Sequence, residues 1–167
     1  MQTLYLFSVW LHILAATTWA GGMLFLVLVV VPWLRAGKRE QAGVFLRETG
    51  ERFRTVGWAC FAILIATGTF NLAMRGVRLH DLVDPAWLAT GFGRALTWKL
   101  ALMVAALALS AVHDFRVGPR ATVELERDPE SPASKRLRRQ ASLFGRANLV
   151  LALLLFAFAV ILVRGWP

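Results

Sequence analysis

Leu4–Leu34 reads LYLFSVWLHILAATTWAGGMLFLVLVVVPWL, an uncharged run of 31 residues, and this stretch decides the fold. A helix crosses the bilayer with about 20 mostly apolar residues. At ~1.5 Å per residue this run is roughly 46 Å long, against a hydrocarbon core of ~30 Å, so it must tilt or project from the membrane. A cleavable signal peptide has a basic start and an apolar run of only about 7–15 residues. No Lys or Arg precedes Arg35, so the run reads as a retained helix, with Pro32 marking its exit.

Three further segments, Thr55–Met74, Ala95–His113 and Ala147–Val163, repeat the pattern. Together the four contain 87 residues and one charge, Lys99. The chain is 57% hydrophobic, and its 19 Lys and Arg against 10 Asp and Glu give a net charge of +9. Such segregation excludes disorder, coiled coil and an ordinary soluble domain. It also argues against a nucleic-acid binder, because the basic charge lies between membrane runs rather than on one folded aqueous surface. The single Cys60 excludes a disulfide framework and reads as a buried core thiol.

Charge asymmetry orients the spans. The connection Arg35–Arg54 carries six Lys or Arg and Arg116–Arg146 carries eight, whereas only Arg75, Arg78 and Arg94 lie between the second and third spans. The positive-inside rule places the two basic connections in the cytoplasm and both termini outside. Trp87, Trp98 and Trp166 then mark the outer interface, and Trp33 and Trp58 the inner one. The expectation is an all-α integral membrane four-helix bundle, a single domain over 1–167. Its spans fall at about 4–34, 55–74, 95–117 and 143–163, a multi-pass arrangement with both termini on the outer side.

The connections read as short elements. Gly37–Arg54 suits an amphipathic extension of the second helix, with Val44, Phe45 and Phe53 on its apolar side. Asp128-Pro129-Glu130-Ser131-Pro132 is a turn, and Ser134 is a candidate cap for the fourth helix. Asp84-Pro85 should cap a short helix that runs through Trp87 to Gly91 or Gly93. No internal repeat is strong enough to use.

Ionisable groups inside spans are costly, and each is a candidate functional residue. His12, Trp19 and Met23 share one face of the first helix with Ser8. Leu64, Thr67, Gly68, Asn71 and Arg75 form a stripe on the second, and Lys99, Met103, Ala106, Ser110 and His113 on the third. Asn148 on the fourth reads as packing. Counting ~1.5 Å per residue, His12 lies about 12 Å below the outer boundary, Lys99 about 6 Å and His113 about 27 Å, so two sites are implied.

The outer candidate combines His12, Trp19, Thr67, Asn71, Arg75, Lys99 and Met103, with His80 folding over it. A neutral imidazole among apolar helices, with Gly21, Gly22 and Gly68 making room and cations for propionates, suits a b-type haem. The inner candidate is His113-Asp114 with Cys60, Asn148, Arg116 and Arg120. Copper is the alternative cofactor, with His12, His80 and His113 as its imidazole ligands. Nucleotide loops, zinc motifs and nucleophile elbows are absent.

Leu11-His12 followed by Trp19-Ala20-Gly21-Gly22, Thr67-Gly68 with Asn71, Trp98-Lys99-Leu100, and His113-Asp114-Phe115-Arg116 with Pro119 together resemble the copper resistance protein D superfamily of bacterial inner-membrane proteins. They are also similar to the HemJ-type protoporphyrinogen oxidases. The first resemblance implies copper movement across the inner membrane. The second implies a haem b held by a first-span histidine matching His12, with Lys99 matching a third-span lysine. The HemJ-type Tyr-His-His aligns with Val112-His113-Asp114, where one histidine remains, so the copper resistance D-like match is the closer.

The expected function is electron transfer or redox chemistry through haem b at His12, with a quinone or another redox partner. That would make the chain a membrane haem-dependent oxidoreductase. Copper transport and a structural, partner-binding subunit are the alternatives, and the lipid bilayer and a second copy of the chain are candidate partners.

Overall fold

The computed structural model of the chain describes residues 1–35, 39–128 and 130–165. Trp166, Lys38, Pro129 and the Val44 side chain lie outside the described residues. Among those described, every regular element is helical: α1 (Gln2–Phe25), α2 (Val31–Arg35), α3 (Arg39–Met74), α4 (Pro85–Leu88), α5 (Gly91–Val112), α6 (Gly118–Arg127) and α7 (Pro132–Arg164). Four stretches are long and apolar enough to cross a membrane: Gln2–Trp33, Glu48–Met74, Gly91–Leu125 and Pro132–Arg164.

Pro32 does not end the first span. The turn Leu26–Val30 before it widens to π spacing, and the Val31 amide donates to the Leu26 carbonyl five residues back. Proline lacks an N–H and collides with the carbonyl four residues earlier; a wider turn accommodates it without ending the helix. The third span repeats the device. His113–Val117 is a π turn, the Gly118 amide donates to the His113 carbonyl, and Pro119 follows. Both prolines thus continue their helices, and α5 runs on into α6.

α1 packs along α3 and α5 along α7, giving two antiparallel hairpins. α1 also touches α7, and α3 meets α6. Small residues allow this closeness: Ala106 and Ala152 are fully buried, and Ala15 and Ala20 nearly so. The core they form with Trp19, Met23, Cys60, Phe61, Leu64 and Leu149 is continuous. Gly22 is required, because a Cβ there would run into the Phe53 ring. Large apolar side chains such as Phe7, Leu28, Val104 and Val160 point outward, as a lipid-facing surface demands.

Local chemistry sets the ends. α3 stops in a Schellman motif, with the Val77 amide donating to the Leu72 carbonyl and Gly76 at φ +79°, the left-handed position that favours glycine. Asp84 caps α4 through the Ala86 amide, as expected. The short helix ends at Leu88 rather than Gly91 or Gly93, because Thr90 caps a new helix through the Gly93 amide. Ser131, not Ser134, caps α7 by accepting from the Ser134 amide, since Pro132 occupies the first helical position.

Candidate functional site

The polar interior divides between two ends of the bundle, one carrying the chain termini and one carrying the basic connections. At the terminus end the α1 face Tyr5, Ser8, His12 meets the α3 face Thr67, Gly68, Asn71, with Arg75 one residue past the helix end. His12 Nδ1 lies 2.8 Å from Thr67 Oγ1. Thr67 Oγ1 in turn donates to the Ile63 carbonyl at 2.6 Å. A hydroxyl has one proton, so Thr67 faces His12 as an acceptor. That pairing suits an imidazole protonated on Nδ1, the tautomer whose Nε2 keeps a lone pair for a ligand. Gly68 completes the seat, since a Cβ there would stand 3.3 Å from His12 Cε1.

Above this seat the charge is one-sided. Arg75 Nε donates to the Tyr5 hydroxyl at 3.2 Å, and Lys99, half-buried on α5, lies within electrostatic reach of both Arg75 and His12. The nearby carboxylates are engaged elsewhere: Asp81 holds His80 at 3.0 Å and the Arg78 amide at 2.7 Å, and Asp84 caps α4. A cavity of about 300 Å³ opens beside Arg75, lined by Gly76, Val77, Trp87 and Phe92. Ser8 Oγ and Asn71 Oδ1 are buried without a hydrogen-bond partner, a costly condition that a polar ligand would relieve.

His80 is exposed and turned toward Asp81 rather than folded over the site. Trp19 is buried against Phe61, ring centroids 4.8 Å apart, and Met103 packs on the core. Tyr5 is the partner that the sequence reading passed over. As the single tyrosine of the chain, seven residues before His12 on one helical face, it was open to discovery by spacing.

At the basic end His113 Nδ1 lies 2.9 Å from Asp114 Oδ1, and Trp58 Nε1 donates to Asp114 Oδ2 at 3.0 Å. Asn148 Nδ2 donates to Ser110 Oγ at 2.6 Å, tying α7 to α5. Among the described residues no three His, Cys, Asp or Glu side chains form a group that could hold a metal ion. A haem needs less from the protein, because the porphyrin supplies four nitrogens and one imidazole can complete the coordination. His12 with a free Nε2, apolar helices around it and cations above it fit that demand.

The copper resistance protein D family profile matches residues 47–162, more than half of the chain. The match takes in Trp58, Thr67, Arg75, Lys99 and His113-Asp114 and begins after His12. An uncharacterized protein of Aquifex aeolicus (strain VF5) is 31% identical over 167 residues, covering 99% of this chain and 98% of its own length. No solved structure matches it. The chain, with its four apolar spans, belongs to the copper resistance protein D family of membrane proteins.

Proposed function

We propose that the chain is a redox protein of the inner membrane that binds a b-type haem through His12 Nε2, with both termini periplasmic. The observation that supports this reading is the pairing of His12 Nδ1 with Thr67 Oγ1, whose own proton goes to the Ile63 carbonyl, an arrangement suited to a ligand nitrogen at Nε2. Fixing the ligating histidine through its other nitrogen is the usual support of a metal-bound imidazole. Lys99 and Arg75 would hold the carboxylates of the bound group, and Asn71 would accept a hydrogen bond from it. Bound haem would supply a reversible one-electron change, with a quinone or a redox protein as partner. The experiment is the absorption spectrum of the detergent-purified chain: a Soret band that His12→Ala abolishes.

Copper is the second reading, favoured by the family match. As cargo, the ion would meet one imidazole beside Lys99 and Arg75, whose charges oppose a cation. A colourless protein that co-purifies with stoichiometric copper would select transport.

A further inference from the structure

The hydrogen bonds at the terminus end stay inside the first hairpin (Tyr5 to Arg75, His12 to Thr67), and Asn148 to Ser110 stays inside the second. At the basic end the pattern changes. Trp58 Nε1 and Arg54 Nη1, both from α3, converge on Asp114 of the opposite hairpin, the first on its carboxylate at 3.0 Å and the second on its main-chain carbonyl at 3.4 Å. Aromatic contacts reinforce the joint. Trp58 lies 5.6 Å from Phe115 of the π turn and 5.6 Å from Phe61 of its own helix.

The Asp114 carbonyl is available for a chemical reason. The Gly118 amide is taken by the His113 carbonyl, and the next residue in π register, Pro119, has no N–H to offer. Arg54 fills that gap from the other hairpin. The carboxylate also lies 2.9 Å from His113 Nδ1, and one turn earlier on α5 Ser110 accepts from Asn148, whose Oδ1 is buried without a partner. A π turn before a proline is where a helix has the fewest regular bonds to hold its direction. At this end of the bundle the polar contacts between the two hairpins therefore centre on Asp114, beside the apolar core that the four helices share.

We propose that Asp114 is the latch of a gate at the basic end of the bundle. Bound to Trp58 and Arg54, it holds the two hairpins shut; released, it lets them part about the π turns and opens the core between α3 and α5 to that side. The groups that meet it are Arg54 and Trp58 from α3 and His113 on its own turn, with Phe144 of α7 lying 6.5 Å from His113. The latch is independent of what His12 binds.

Cys60, the single cysteine, is buried two residues beyond Trp58, so it reports opening without any added label site. The experiment measures N-ethylmaleimide labelling of the full chain in detergent, with thermal unfolding followed by circular dichroism. Trp58→Phe keeps the aromatic packing and removes the donor, and Asp114→Ala removes the acceptor. Each should speed labelling about tenfold, the scale of one hydrogen bond to a charged acceptor, while the melting temperature falls by only a few degrees, as the loss of one such bond gives in a chain of this size. Tyr5→Phe, at the other end, should leave the rate unchanged. Unaltered labelling in both latch variants, or an equal acceleration in Tyr5→Phe, would overturn the proposal.

Discussion

Thr67 gives its one hydroxyl proton to the Ile63 carbonyl, and so it meets His12 Nδ1, 2.8 Å away, as an acceptor. One helix thereby offers an acceptor to the histidine of another, and the proposed ligand chemistry depends on that relationship.

Thr67→Val keeps the shape and removes the acceptor. The His12 Nδ1–H is then orphaned and either tautomer becomes accessible. Haem affinity should fall about 10- to 100-fold, the usual scale for losing such a support. Thr67→Ser should retain most of it, and absorption titration with hemin separates the two.

Gly68 lies where a Cβ would come 3.3 Å from His12 Cε1. Gly68→Ala should be tolerated with a small shift of the ring, whereas Gly68→Val should displace it. The overpacking cost for Val is about 1–3 kcal/mol. Melting temperature and Soret position, measured together, check this: Val should lower the first and abolish or shift the second.

Lys99 is a charge inside a span, within reach of the like charge of Arg75. Lys99→Met should stabilise the ligand-free chain by about 1–3 kcal/mol, because an apolar group replaces a charge at membrane depth. The same change should weaken binding of a carboxylate-bearing ligand. Thermal unfolding with and without hemin reads both effects, and a variant that lost stability in the free form would show that Lys99 is structural.

Ala106 and Ala152 are fully buried in the core. Ala106→Leu should force α5 and α7 apart and cost about 1–3 kcal/mol. Lipid-facing Val104→Leu, two residues away, should be neutral. Thermal melts of the pair in one detergent make the comparison.

The spans were legible because an apolar run of bilayer length has few other uses, and the α4 cap because Asp-Pro is a local signal. Ser131 was equally open to discovery, since proline at the first helical position requires the cap immediately before it. The two π turns were not: a proline after an apolar run reads as an exit, and only main-chain hydrogen bonding shows the helix continuing past Pro32 and Pro119. The stripe on α3 foretold which residues would face α1. Nothing in the spacing of Trp58 or Arg54 pointed to Asp114, because their pairing joins residues more than fifty positions apart. Trp58 looked like an interfacial aromatic, and Asn148 like packing, until their donors were placed on Asp114 and Ser110.

Whether His12 Nε2 is the ligand nitrogen is decided by chemical rescue. His12→Gly removes the imidazole while sparing the α1 backbone, and added imidazole can occupy the space beside Gly68. We expect a Soret band in the wild-type chain, its loss in His12→Gly, and its return as imidazole is titrated in. A Soret band that survives His12→Gly unchanged, or a wild-type chain that neither carries haem nor takes up hemin, would contradict that role for His12.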